Sequence, residues 1–270
     1  MKKVNFKKIA FVSLIIVIAL STSVIIYDRI TINNQYYISE KNLNIPIFVY
    51  HDIVSDESQI KFDYMQTSKQ TFEEQITGLQ KVGYHFITYD DLKQYKEGNK
   101  KLYKKSCILT FDDGCEGVYE NAYPIAKKYN IPLTMFVITD NMEKSGVITW
   151  QEAKEMKDSG LVTIASHSKD HSEFTKLTIE EAEKNVNESY KIIEEKIGMP
   201  LSKIFTYPYG LNTEEELEKL KQDGYIQNLT DNKINQSKTL NLYALHRCYP
   251  LSDSVPKMLL KIQYRVIRYQ

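Results

Sequence analysis

Cys107-Ile108-Leu109-Thr110-Phe111-Asp112-Asp113-Gly114 decides how this chain reads: a short, largely apolar run that ends in two carboxylates and a glycine. Such a run has the character of a strand buried on both faces, as in parallel sheets covered by helices. Adjacent aspartates on a regular strand would point to opposite faces. They work as a pair only where the strand stops, and Gly114 permits the sharp departure that stops it. Asp-Gly is also an ordinary turn, so the stretch takes its weight from what surrounds it.

Segments of the same character recur at 45–51, 85–88, 133–139, 161–166, 204–207, 225–229 and 243–249. Helix signals fall between them. Thr71-x-x-Glu74, Thr149-x-x-Glu152 and Thr178-x-x-Glu181 are capping boxes that open amphipathic stretches. Gly83, Gly160, Gly198 and Gly224 stand where such stretches stop. A last amphipathic helix, 255–268, turns Met258, Leu259, Ile262 and Val266 to a core and Lys257, Lys261, Arg265 and Arg268 to solvent. These strand–helix repeats, with no change of composition, predict one α/β domain over 44–270 with a parallel sheet. His51, Asp112, Asp113, His167 and Tyr209 fall at the C-terminal ends of several strands, which favours a closed or nearly closed β/α barrel over an open sheet.

The 270 residues are 42% hydrophobic and 26% charged, with a formal net charge of zero. That is enough chain for a substantial core, and no basic surplus is present for binding nucleic acid. Cys107, Cys115 and Cys248 cannot all pair with one another and show no Cys-x-x-Cys spacing. The N-terminus sets the topology. In segment 1–8, Lys2, Lys3, Lys7 and Lys8 precede an uncharged run, 9–27, which as a helix would span about 28 Å, close to the thickness of bilayer hydrocarbon. The lysines hold that end inside, so everything beyond it is exported. Small residues at Ala19, Ser21 and Ser23 permit a cleaved signal peptide, but the apolar run continues past them and favours an uncleaved anchor. A polar spacer, 28–43, leads to the domain. The protein is therefore expected at the outer face of the membrane, or secreted and held at the cell surface.

Some fifty residues after the paired aspartates, His167-Ser168-Lys169-Asp170-His171 follows the apolar segment 161–166. The i, i+4 spacing puts both rings on one side if a helical turn begins there, so both reach one ion. With Asp113 they supply the three protein ligands of a catalytic zinc-type site. Asp112 is then the spare carboxylate such a hydrolase needs as general base. The plainer reading of the histidines is one exposed ring and one ring capping a helix.

Together these stretches resemble the polysaccharide deacetylases, carbohydrate esterase family four. Thr110-Phe111-Asp112-Asp113-Gly114 and Ser166-His167-Ser168-x-x-His171 match the family's first two motifs, and Phe205-Thr206-Tyr207-Pro208-Tyr209-Gly210 resembles its third. Val49-Tyr50-His51-Asp52-Ile53 is similar to the branch that deacetylates the biofilm polymer poly-β-1,6-N-acetylglucosamine. The likeness extends over residues 44–252. It implies a distorted, incompletely closed β/α barrel, in agreement with the alternation of elements. It also implies that Asp113, His167 and His171 hold the metal and that Asp112 is the base. The backbone N–H of Tyr209, beside Pro208, would help bind the oxyanion, and His51 would be the acid that protonates the departing amine.

Two departures from the family pattern matter. Many members carry an arginine shortly before the third motif's Pro-Tyr, where it orients the base. Phe205 and Thr206 stand there instead, and Arg247 is the expected replacement. The family's late Leu-x-His is not matched in spacing by Leu245-His246, which leaves His246 a rival to His51. Tyr207 and Tyr209 are expected to line the sugar groove, and Trp150 either walls that groove or staples the helix it opens.

The expectation is an exported N-deacetylase that uses a divalent metal, zinc by default, with cobalt or nickel tolerated by oxygen and imidazole ligands. Its partners would be an N-acetylglucosamine polymer, the membrane and, by location alone, exopolysaccharide synthesis machinery. Two rivals stand beside it: the same chemistry on peptidoglycan or chitin oligomers, and a non-catalytic, membrane-tethered glycan-binding protein.

Overall fold

The apolar run ending at Phe111 is a strand with neighbours on both sides, and strand and helix alternate around it. The computed structural model describes residues 43–198 and 201–268. The expected anchor, 9–27, and its spacer apart from Leu43 lie outside the described residues, among which no helix is long and apolar enough to cross a membrane. The strands of the main sheet are β1 (Ile47–Tyr50), β2 (His85–Phe86), β3 (Ser106–Phe111), β4 (Leu133–Val137), β5 (Val162–Ser166), β6 (Ile204–Thr206), β7 (Ile226–Leu229) and β8 (Leu245–His246). The helices are α1 (Lys69–Lys81), α2 (Tyr89–Lys96), α3 (Tyr123–Tyr129), α4 (Trp150–Asp158), α5 (Ile179–Ile197), α6 (Glu214–Gln222) and α7 (Val255–Arg268).

All pairings in the main sheet are parallel, in the order β8-β7-β6-β5-β4-β3-β1, with β2 against the start of β3. Period-two alternation divides each strand between two cores. Ile47, Ile108, Phe136, Ala165, Ile204, Ile226 and Leu245 share one cluster, which only the interior of a ring allows seven strands to do. Their neighbours Phe48, Leu109, Met135 and Ile164 face outward, packing with Phe72 and Ile76 of α1 and Ala153 and Met156 of α4. Phe205 of β6 joins a third cluster with Ala182 and Val186 of α5. Strands buried on both faces are thus apolar on both faces, which is why they were legible.

The ring is nearly closed. Its last seam pairs β1 with the chain after β8 through one bridge, Phe48 opposite Cys248, in which the Val49 N–H donates to Cys248 O (3.0 Å) and the Cys248 N–H to Ile47 O (2.9 Å). A short antiparallel pairing of Asn44–Ile45 with Asn235–Gln236 ties the two sides together before β1 begins. A second thin seam joins β5 to β6 through one residue pair, Ser166 opposite Phe205. Elsewhere the ladders are longer.

The capping boxes at Thr149 and Thr178 open α4 and α5 as predicted. The box at Thr71 does not. Ser68 is the cap of α1, accepting from the Thr71 N–H at 3.2 Å, and Glu74 instead accepts from Gln70 Nε2. Gly198 ends α5 with φ 84°. The last helix buries Met258 and Ile262 and partly buries Leu259, while the side chain of Val266 lies outside the described residues. Gly117 lies against the strand Asp52–Val54, where a Cβ would meet Asp52 Oδ1 and come 2.5 Å from the Ile53 carbonyl oxygen. Gly117→Ala is therefore expected to destabilise the domain by about 1–3 kcal/mol. A lower midpoint in urea unfolding is the readout, and an unchanged midpoint would show that these segments part freely.

Candidate functional site

Each strand end delivers one part of the site. In β3, Thr110 points inward and Phe111 outward, so Asp112 points inward again. Alternation would send Asp113 out, but its left-handed backbone (φ 71°), followed by Gly114 (φ 74°), turns it to the barrel mouth. Beyond β5, His167 faces the same side. No helical turn follows it, contrary to the i, i+4 expectation. Ser168 (φ 71°) and His171 (φ 63°) are both left-handed, and Ser168 Oγ accepts from the His171 N–H at 2.9 Å. A short serine side chain that competes for backbone donors favours such a turn over a helix. The two rings meet edge to face, centroids 4.9 Å apart.

Tyr209, after β6, is left-handed too (φ 60°, ψ 3°). Four non-glycine residues with positive φ therefore gather at one end of the barrel. Each costs on the order of 1 kcal/mol, and such outliers concentrate at functional sites.

Asp113 Oδ1 lies 3.5 Å from His167 Nε2 and 3.7 Å from His171 Nε2. One ligand atom from each of the three residues lies within 4.8 Å of the others. His167 Nδ1 is 2.9 Å from Thr206 O. A carbonyl only accepts, so Nδ1 carries a proton, and in the neutral ring Nε2 is left to present its lone pair to Asp113. Asp113 Oδ1 is buried and has no hydrogen-bond partner. A lone pair and a carboxylate oxygen facing each other repel unless a proton or a metal cation joins them. One oxygen and two imidazole nitrogens suit zinc, cobalt or nickel. Burial, then His167, lowers the pKa of His171 against the opposing pull of Asp113 and Asp112, which favours the neutral, ligating ring.

Asp112 is buried, and burial alone would raise its carboxyl. The Arg247 guanidinium, followed by His167, outweighs burial and brings it down to about 2. Arg247 Nη1 donates to Asp112 Oδ1 at 2.7 Å and Nη2 to Oδ2 at 2.8 Å, a bidentate pair. Nη1 also reaches Thr110 Oγ1 (3.3 Å) and Nη2 reaches Thr230 Oγ1 (2.8 Å), while the guanidinium carbon sits 5.3 Å from the Phe136 ring centroid. Arg247 thus stands where a replacement for the missing motif arginine has to stand. Thr110 and Thr230, which hold Arg247, and Thr206, which orients His167, carry no sequence signal for these tasks; only the topology brings them together.

His51 follows β1. Its Nδ1 is buried with no hydrogen-bond partner, and its ring lies parallel to that of Tyr249, centroids 6.1 Å apart. Burial lowers its pKa, while Asp112 and Asp113 pull it back up. Tyr209 is 66% exposed, and its ring meets that of His171 edge to face at 4.6 Å; Pro208 beside it is buried. Tyr249 was not anticipated.

Three anticipated side chains lie elsewhere. Tyr207 does not line the groove: Thr206 points inward, so Tyr207 points outward, into the core with Phe174 and Phe205, its hydroxyl donating to Gln227 Oε1 at 2.6 Å. Trp150 packs in the outer core with Ala153 and Met156, which leaves it the stapling role. His246 faces away from the direction of Arg247, and its Nδ1 is 2.9 Å from Asp231 Oδ2.

A family model described as polysaccharide deacetylase matches residues 99–227. YxkH of Bacillus subtilis (strain 168), named for polysaccharide deacetylation, is 31% identical over 209 residues, covering 77% of this chain and 72% of that protein. The poly-beta-1,6-N-acetyl-D-glucosamine N-deacetylase of Staphylococcus aureus (strain MRSA252) is 34% identical over 190 residues, covering 66% of this chain and 63% of the relative. Among solved structures, Streptococcus pyogenes deacetylase PplD in complex with acetate superposes with a TM-score of 0.74 at 24% identity, covering 82% of this chain and 99% of PplD. IcaB from Ammonifex degensii superposes with a TM-score of 0.70 at 25% identity, covering 83% and 98%.

Proposed function

This chain belongs to the polysaccharide deacetylase family, and from that premise we propose a metal-dependent N-deacetylase acting outside the cell on poly-β-1,6-N-acetylglucosamine. The observation that carries the chemistry is the pair of facing acceptors, Asp113 Oδ1 and His167 Nε2, closed by His171 beside an ionised Asp112. The named activity of the staphylococcal relative supports the substrate, although this chain spans less than two thirds of that protein.

Asp113, His167 and His171 would hold a divalent cation, which would supply Lewis acidity toward water and an acetyl carbonyl. Asp112, fixed by Arg247, takes the proton of the attacking water. The Tyr209 N–H, presented by its left-handed turn, donates to the oxygen on which charge builds. His51 hands a proton to the departing amine. Burial disfavours its charged form while Asp112 and Asp113 favour it, which suits a group that gains and loses a proton in one cycle.

The exposed Tyr209 belongs to an open mouth that an internal sugar of a long chain can enter. Anchored by the 9–27 run, the domain would meet polymer as it leaves the cell. Each amine freed adds positive charge to the product.

Acetate release from β-1,6 and β-1,4 N-acetylglucosamine oligomers tests this reading. Chelation is expected to lower release by at least about a hundredfold, and added zinc to restore it. Full activity in protein shown to be metal-free would refute the metal role. Preference for β-1,4 oligomers would move the substrate to wall or chitin polymers.

A further inference from the structure

A groove of about 370 Å³ opens beside the centre, between the turn carrying Tyr64 and α7; Tyr64, Asn232, Tyr249, Leu251, Lys261 and Arg265 line it. Tyr249 is the wall it shares with the centre, since the same ring lies parallel to His51. Tyr64 is 60% exposed and stands 6.1 Å from the Phe62 ring, itself 56% exposed. Rings with an apolar face and a polar tip suit a sugar. Asn232 ties the groove to the centre. Its N–H donates to Arg247 O at 3.0 Å, and its Oδ1 accepts from the Tyr249 N–H (3.3 Å) and from Arg265 Nη2 (3.1 Å).

The charge on the α7 side is lopsided. Lys257, Lys261 and Arg265 stand against one carboxylate, Asp253, which pairs with Lys257 at 2.7 Å and also with Lys261. Asp231, the acid preceding Asn232, is engaged by Lys233 and His246. In the turn, Lys61 and Asp63 offset each other. The groove therefore combines aromatic walls with a positive rim.

We propose that this groove binds the sugar next to the one being deacetylated, and that Arg265, which has no carboxylate partner among the described residues, makes it a subsite for an N-acetylated residue that turns away a glucosaminium. The proposal rests on reading the centre as an amino-sugar deacetylase. Under that reading each turnover converts a neutral sugar into a cation. The aromatic walls accept either sugar, but like charges a few ångströms apart near a protein surface weaken binding by roughly tenfold. The neighbours of a finished residue become poor substrates, so acetyl groups leave at intervals rather than in blocks.

The test uses the full chain in detergent, loaded with zinc, at pH 6, where the sugar amines are protonated. Two β-1,6 pentasaccharides are compared: one fully N-acetylated, the other with free amines on both residues flanking a central N-acetylglucosamine. The expected kcat/KM for the central acetyl group is about tenfold lower with amine flanks, mostly through KM. Arg265→Gln is expected to shrink that ratio to about threefold, and Arg265→Lys to keep it. Equal kcat/KM on both substrates overturns the proposal and leaves the deacetylase reading standing. A ratio unchanged in Arg265→Gln also overturns it. No release from either substrate removes the reading of the centre on which the proposal rests.

Discussion

Arg247→Met is expected to destabilise the domain by about 3–5 kcal/mol at neutral pH, because it leaves the buried Asp112 carboxylate without its counter-ion. For a domain of this size that is a fall in Tm on the order of 10 °C. The pH dependence gives the effect its signature. In the native protein Asp112 titrates at about 2, below the value of about 3.9 for an unfolded aspartate. Its contribution is therefore complete above the unfolded value and drains away as pH falls toward the folded one. In the variant burial acts unopposed and raises the carboxyl, so the sign reverses: the folded state binds a proton more readily than the unfolded one, and stability improves on acidification. The gap between the proteins should be widest near pH 7 and narrow through the acid range. Urea unfolding from pH 4 to pH 7 measures it, and a gap below 1 kcal/mol that ignores pH would remove Arg247 from this role.

Asp112→Asn is expected to lower kcat by a factor of about 10²–10⁴ through loss of the base. It also strands the Arg247 guanidinium in the interior, so the single variant confounds catalysis with folding. Asp112→Asn combined with Arg247→Met separates the two. Removing both charges should recover most of the stability lost in either single variant, because a buried pair replaced together is close to neutral. Turnover should stay lost, while added zinc should still bind at one per chain, since Asp113, His167 and His171 are untouched. A double variant retaining more than a tenth of wild-type kcat would show that Asp112 is not the base.

The alternation of strand and helix was legible because a strand covered on both sides leaves an unbroken apolar run. The convergence of Asp113, His167 and His171 was legible because a metal cage draws on few residue types, and these three stood just past strand ends. What escaped was direction. β6 has three residues, Ile204–Thr206, too few to show which way Tyr207 and Tyr209 point. The second of them reaches the mouth only through a left-handed backbone that no propensity announces. The two histidines converge through a serine-closed turn rather than a helix, an outcome the i, i+4 spacing accommodates equally well. Arg247 lies 135 residues from Asp112 and entered only as the filler of a gap in the third motif. Of the threonines that hold it, Thr110 stands in the first motif with nothing to announce this task, and Thr230 stands in no motif.

The two thin seams of the ring, at Phe48–Cys248 and Ser166–Phe205, fall on either side of the chemistry. They divide the barrel into two leaves. One, from β1 through β5, carries His51, Asp112, Asp113, His167 and His171; the other, β6 to β8, carries Tyr209, Thr230 and Arg247. The Arg247–Asp112 pair and the His167–Thr206 contact are clasps between the leaves. If the leaves shift against each other, the candidate ligand cage would travel as one body while Arg247 and Tyr209 slide past it. Under the proposed mechanism, breathing of this barrel would therefore tune turnover before it loosened a bound cation.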